Sequence, residues 1–226
     1  MKKLFTLIGT VLLSVGVNAQ TTLKVESFRM GIGEHKTITL DLDNSDLADA
    51  AAFCCDIVLP EGVEVMKDIE GAYMFSVSDK DSRSTSSELF IASALQNDGA
   101  VRVVCFPKDA KAFASTSGAV LNIPLVASKE LTKGTEVVTI TNQEITNTTG
   151  LSTIKPNASI ADLITFLRSD ANGDETINIT DVAYVLDKIN GLIDAGLDED
   201  AADANNDGKI NITDVALIVD IINGVK

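Results

Sequence analysis

Between residues 21 and 167 apolar and polar side chains alternate in short runs, the two-residue period of strands that bury one face. The run 37–43 places Ile38, Leu40 and Leu42 on one side, and 53–59 does the same before the turn Pro60, Glu61, Gly62. Further strands are expected at 23–28, 72–77, 88–95, 101–106, 119–127, 136–145 and 159–166. Turn signals separate them, among them Asn97, Asp98 and Gly99, then Ser117 and Gly118, then Lys133 and Gly134. Nine short strands broken this way predict a mainly β domain built as a sandwich.

Past residue 167 the period changes. Val182, Val185, Leu186 and Ile189 recur at helical spacing, and Val215, Ile218, Val219 and Ile222 repeat the stripe thirty-three residues later. Asn190 with Gly191, and Asn223 with Gly224, are stop signals for the two helices. Neither helix can bury its stripe alone. The two copies are therefore expected to pack antiparallel about a pseudo-twofold axis, bridged by a short helix near 197–202. At the other end, Lys2 and Lys3 precede an apolar run at 4–17 that closes on Val17, Asn18 and Ala19. This is the pattern of a secretory signal peptide, too short to span a bilayer, with cleavage after Ala19 leaving Gln20 first. No later stretch is apolar enough to cross a membrane. The expected organisation is a signal peptide at 1–19, a β-sandwich at 20–167 and a small all-α unit at 168–226. The exported chain would then have about 207 residues and work in the periplasm or outside the cell.

The segment before each helix carries the most specific chemistry. Asp170, Asn172, Asp174, Thr176, Asn178 and Asp181 stand at positions 1, 3, 5, 7, 9 and 12 of one loop, and Asp203, Asn205, Asp207, Lys209, Asn211 and Asp214 at the same positions of a second. A hard divalent cation takes roughly six to eight oxygens from carboxylates, amides, carbonyls and water, and this spacing is that of an EF-hand-type calcium loop. Positions 1, 3, 5 and 12 would ligate through side chains, Thr176 and Lys209 through their carbonyls, and Asn178 and Asn211 through water. Ile177 and Ile210 at position 8 would turn into a core. Position 6 needs a left-handed backbone, which Gly208 supplies and Glu175 does not, and a non-Gly residue there costs on the order of 1 kcal/mol or more. Two calcium ions are expected, the first held more weakly. So small a unit has little core, and the metal should supply much of its folding free energy.

Two loop–helix units without the entering helix of a full EF-hand, and with Asp at position 12, closely resemble the dockerin domain over 168–226. The resemblance implies two calcium ions and a role in attaching a secreted protein to a cohesin partner, as in assemblies that degrade plant polysaccharides. It also implies recognition positions at Ile179 and Thr180 and at Ile212 and Thr213, followed on the helices by Leu186, Asp187, Val219 and Asp220. These are more apolar than the hydroxyl and basic residues of many cellulosomal dockerins. Another protein partner, or the other domain of the same chain, therefore stays open. Residues 21–167 in turn resemble the β-sandwich of cohesin domains. Phe53 with Leu59 to Val63, then 102–106, then Phe113 with 118–127 carry that likeness. The same superfamily includes carbohydrate-binding modules, so a glycan-binding module of a surface or secreted system is the alternative reading. A cohesin-like sandwich followed by a dockerin is an arrangement seen in secreted proteins of Bacteroidetes-type bacteria.

Charge agrees with an extracellular binding protein. The net charge is −15, or −17 without Lys2 and Lys3. Residues 168–226 hold thirteen acidic and four basic side chains, a net of −9. Bound calcium would cancel part of this, while nucleic acid would be repelled. Of the three cysteines, Cys55 and Cys105 fall on apolar faces. They are either a disulfide formed in an oxidising compartment or two small buried hydrophobes, with Cys54 left on the other face. No catalytic role is expected. His35 is the only histidine, the acids Asp41 and Asp43 alternate on a solvated face, and Gly31 and Gly33 lack the following helix of a phosphate cradle. With no Trp and only Tyr73 and Tyr184, the chain is poor in the flat aromatic platforms that glycan sites use. The reading that emerges is a secreted, calcium-binding adaptor of cohesin–dockerin type.

Overall fold

In the computed structural model, which describes residues 21–78, 83, 88–193 and 195–225, the alternating runs become twelve strands. The expected signal peptide lies outside the described residues. In chain order the strands are β1 (Thr22–Lys24), β2 (Phe28–Gly31), β3 (His35–Asp43), β4 (Ala50–Val58), β5 (Val63–Val65) and β6 (Ser76–Val77). They continue with β7 (Leu89–Leu95), β8 (Val101–Pro107), β9 (Ala119–Ala127), β10 (Gly134–Asn147), β11 (Thr153–Ile154) and β12 (Ser159–Phe166). Three helices follow, α1 (Ile179–Ile189), α2 (Glu199–Ala202) and α3 (Ile212–Ile222).

One sheet runs β1-β3-β9-β5, with β6 also on β9, and the other runs β2-β12-β10-β4-β8-β7, with β11 on β10. Every pairing is antiparallel except β12 with β2. The inward side chains form one core. Ile38, Leu40 and Leu42 of β3 and Leu121, Ile123 and Leu125 of β9 share it with Phe53 and Ile57 of β4 and Val101 and Val103 of β8. Burial of this apolar surface is the main force holding the sandwich.

Three departures from the expected strands have physical causes. The run 23–28 is two strands rather than one, because the chain leaves the first sheet after Lys24 and joins the second at Phe28. Gln143 marks this corner: its buried Oε1 accepts the Leu23 N–H at 2.7 Å, tying β1 to β10. It is free to do so because β10 bulges between Thr141 and Glu144, with Asn142 at φ 48°, which moves the next core residue from the Ile140 parity to Ile145. Third, 72–77 keeps only Ser76 and Val77 in the sheet, while β5 and β11 add short pairings that no periodicity announces.

The cysteines are free. Cys55 and Cys105 do share the core face on neighbouring strands, but Cys105 sits opposite Phe53, and Cys55 opposite Val103. That diagonal leaves their β-carbons about 7 Å apart, beyond the reach of a disulfide, so of the two readings the structure takes the buried-hydrophobe one. Burial pushes the Cys105 thiol up to about 12 and Cys55 higher still, which keeps both protonated.

On the outer face of the same strands Asp56 is forked by Arg102, at 2.6 and 2.7 Å, and accepts the Asn142 amide at 2.7 Å. The Arg102 hydrogen bond, helped by Asn142 against the opposing effect of burial, holds the Asp56 carboxyl below its ordinary value of 3.8. A carboxyl depressed on folding stabilises fully above the unfolded value, and loses that contribution as pH falls through the folded one. Thermal melts of the wild type and Asp56→Asn are therefore expected to differ by several degrees near about pH 7 and to converge in acid, once pH has fallen through the lowered folded-state value. A gap that persists in acid would mean that packing, not charge, sets the cost.

Candidate metal centre

Each loop is organised by its own side chains taking N–H groups further along the loop. Asn172 Oδ1 accepts from the Asp174 N–H at 2.9 Å and Asp174 Oδ1 from Thr176 at 2.9 Å. In the second copy Asn205 accepts from Asp207 at 3.0 Å, and Asp207 from Lys209 at 2.9 Å. Such turns are the local preference of Asn and Asp, and they wind the backbone into a tight ring. The carboxylates at position 12 close it. Asp181 accepts from the Asn172 and Asn178 N–H groups at 3.2 and 2.8 Å, and Asp214 from Asn205 and Asn211 at the same distances. Both are fully buried, as nearly are Asp170 and Asp203 at position 1. Glu175 holds φ 69° and Gly208 φ 80°, the left-handed turn that position 6 requires.

Asn178 and Asn211 at position 9 also cap the helices. Each accepts the N–H two residues on, from Thr180 at 2.8 Å and Thr213 at 2.9 Å, within a complete capping box. The helices therefore begin at loop position 10, earlier than the apolar stripe announces. Thr180 and Thr213 hydroxyls accept from Asn172 and Asn205 at 2.9 Å, a second tie between loop and helix that the sequence pattern did not single out.

The donor set fits a calcium ion. Asp170 Oδ1 is buried with no hydrogen-bond partner, an acceptor left for a cation or its water. Each loop adds carboxylates, amides and carbonyls, the hard oxygens this ion takes. Among the described residues no three acidic, His or Cys side chains converge into a ready cluster, so the neutral oxygens are needed to complete either site.

The helices bury only half of each stripe. Val182 and Val185 meet Val215 and Ile218, with Ala171, Ala202 and Ala204 filling between them and Ile177 and Ile210 half-buried against them. The other half faces outward. Ile179 is 67% exposed and Ile212 63%, with Thr180, Thr213 and Leu186 also exposed, and Asp187, Val219 and Asp220 half-buried. All eight positions expected to meet a partner are thus at least partly accessible.

The sandwich touches this unit through charge rather than through the apolar face. Arg29 pairs with Asp198 at 2.6 Å and with Asp200. Arg168 pairs with Glu34 and donates to the Asp200 and Asp203 carbonyls at 2.9 and 2.6 Å. Lys133 donates to the Gly173 carbonyl at 2.6 Å. Both guanidinium groups lie 5.2 Å from the centroid of Phe166, the last residue of β12. None of these basic residues was legible as a site residue, because their partners lie far along the chain.

Two superposable loop–helix units on one small core decide the assignment. Residues 168–223 match the dockerin type I domain. Type I dockerins are a calcium-binding domain family. The dockerin here follows a sandwich with the cohesin fold. The seventh ScaB type I cohesin from Pseudobacteroides cellulosolvens aligns with a TM-score of 0.52 at 7% identity, covering 65% of this chain and 92% of that one. A cohesin module from a family 33 glycoside hydrolase of Clostridium perfringens aligns at 0.49 and 14% identity, over 66% of this chain and 96% of its own. A non-cellulosomal cohesin from Archaeoglobus fulgidus gives 0.48 and 14%, over 66% and 92%. No curated protein matches the chain. Dockerin and cohesin modules are non-catalytic interaction domains.

Proposed function

We propose that this chain is a secreted, calcium-loaded adaptor. Its dockerin grips a cohesin-type protein, and its sandwich presents a second interaction surface, in the setting of extracellular polysaccharide breakdown. One observation carries the reading: the unit that matches the dockerin domain leaves equivalent apolar residues, Ile179 and Ile212, exposed at the start of both helices. Residues this apolar and this accessible are suited to a buried interface core. Calcium, when bound, supplies the positive charge that would let six carboxylates share the two loops. Asp170, Asn172, Asp174, Thr176, Asn178 and Asp181 would hold one ion, and Asp203, Asn205, Asp207, Lys209, Asn211 and Asp214 the other. With the loops set, Ile179, Thr180, Leu186 and Asp187, together with Ile212, Thr213, Val219 and Asp220, form the gripping surface. Because the sandwich meets the dockerin through Arg29, Lys133 and Arg168, the gripping surface is left for an outside partner.

The test is surface plasmon resonance of the full chain over a panel of immobilised type I cohesin modules, with calcium and then with chelator. Calcium-dependent binding to at least one module is expected. Ile179→Asp/Ile212→Asp should weaken it more than about a hundredfold, the range of central apolar anchors in interfaces. Binding that survives both chelator and the double substitution would remove the dockerin from the contact.

A further inference from the structure

The two calcium loops are nearly the same in sequence, yet the sandwich treats them differently. Lys133 lies in the turn just before β10, and Thr165 of β12 fixes this turn by donating its hydroxyl to the Thr132 and Gly134 carbonyls at 2.8 and 3.2 Å. From that fixed base the lysine reaches across the junction. Its Nζ donates to the Gly173 carbonyl at 2.6 Å and stands 3.6 Å from Asp170 Oδ2, the carboxylate at position 1 of the first loop. That carboxylate is 1% exposed. Its Oδ2 also accepts the Glu175 N–H at 3.0 Å, and its Oδ1 has no hydrogen-bond partner.

Among the described residues no basic side chain forms an ion pair with the Asp203 carboxylate of the second loop, as Lys133 does with Asp170 in the first. Asp203 at position 1 takes loop N–H groups on both oxygens, from Asp207 at 3.0 Å and Gly208 at 2.8 Å. Arg168, at the junction, donates to the Asp203 backbone carbonyl and acts on its carboxylate through charge alone, without an ion pair. Position 4 differs in the same sense. Gly173 stands in the first loop, where a β-carbon would lie 3.0 Å from Lys133 Nζ, and Asn206 stands in the second. The glycine leaves the lysine its close approach.

We propose that the sandwich regulates the first calcium loop through Lys133, whose charge occupies the field of the position 1 carboxylate and sets that loop's affinity below its intrinsic value. This rests on the calcium reading above. Lys133 is thus a positioning and affinity-setting residue. It holds the loop backbone at Gly173 while the second loop alone is loaded and opposes the first loop's ion when it arrives, so the two loops fill in order, the second before the first. A cation in the first loop also removes the attraction between Asp170 and Lys133, so the junction between sandwich and dockerin senses loading.

The test is a calcium titration of the full ¹⁵N-labelled chain, in which the amides of Gly173 and Glu175 report the first loop and that of Gly208 the second. Lys133→Met should tighten the first loop about tenfold at low ionic strength, with the second unchanged, because a unit charge 3.6 Å from the position 1 carboxylate would oppose a divalent ion held there on that scale even in water. Lys133→Arg keeps the charge and should stay within about threefold of wild type. The gain should shrink toward nothing at about 1 M salt, where the screening length is about 3 Å. Glu175→Gly, compared with Glu175→Gln so that the lost charge cancels, relieves backbone strain and should tighten the same loop independently of salt. Unshifted cross-peaks of the sandwich and the second loop establish that each variant is folded. A first loop that is unchanged or weakened in Lys133→Met, while both loops bind calcium in the wild type, overturns the proposal and leaves the calcium reading standing. A wild-type chain that takes calcium in neither loop overturns both.

Discussion

Removing calcium from the full chain should abolish the helical signal of α1 and α3 while the sandwich stays folded. The fully buried core of the dockerin is small, made of Ala171, Val182, Val185, Ala202, Ala204, Val215 and Ile218. A unit of that size rarely supplies more than about 3–5 kcal/mol. Against it stand six carboxylates at loop positions 1, 5 and 12, of which Asp170, Asp181, Asp203 and Asp214 are buried. A single site at about a thousand times its Kd contributes about 4 kcal/mol, so two loaded sites exceed everything the apolar core offers. Metal affinity and helix formation are then one equilibrium. Far-ultraviolet circular dichroism during a chelator titration should show helix lost as the loops empty and regained on adding calcium, with the β signal kept. Helix content that is indifferent to chelator would mean that core and junction suffice, and that calcium serves recognition alone.

A second large effect is expected far from the loops. Arg83 is 2% exposed and donates to the carbonyls of Leu42 at 2.6 Å, Gly118 at 3.0 Å, Ala114 at 2.9 Å and Ser115 at 3.0 Å, and to the side-chain oxygen of Asn44. It fastens the end of β3 to the start of β9 and to the segment between β8 and β9. Its guanidinium also lies 5.8 Å from the centroid of the Phe113 ring, in the core. Arg83→Met keeps much of the volume but strands several buried acceptors, each worth about 1–3 kcal/mol when left unmade. The sandwich should lose about 3–5 kcal/mol in urea denaturation followed by the β signal. Arg83→Lys should recover little, because a compact ammonium cannot reproduce the planar fork of five donors. A loss below about 1 kcal/mol would show that water replaces the clasp.

What could be read in advance divides by the distance over which each interaction acts. The paired loop–helix units were legible because each loop is set within twelve consecutive residues and the chain writes it twice. Long strands such as β3 and β9 were legible because a half-buried strand alternates along its own length. The parting of 23–28 between two sheets was not, since it depends on Gln143, 120 residues from Leu23. The face of Cys55 and Cys105 was legible and their register was not, because the offset that puts Phe53 opposite Cys105 is a property of two strands together. The junction was hidden for the same reason. Arg29 meets Asp198 across 169 residues, and nothing local distinguishes either from an ordinary surface charge.

Between Phe166, which ends β12, and Asp170, which opens the first loop, stand only Leu167, Arg168 and Ser169. Even fully extended, that stretch reaches about 14 Å. A tether with no slack has a mechanical result: the dockerin is a fixed arm and cannot sweep out a volume. Whatever it grips inherits the heading of the sandwich. A second contact made by the sandwich on the same target would gain from the first only where the target's own geometry matches that heading, since no linker is present to search for it. In that sense the chain would work as a bracket, sorting any targets by shape as well as by affinity.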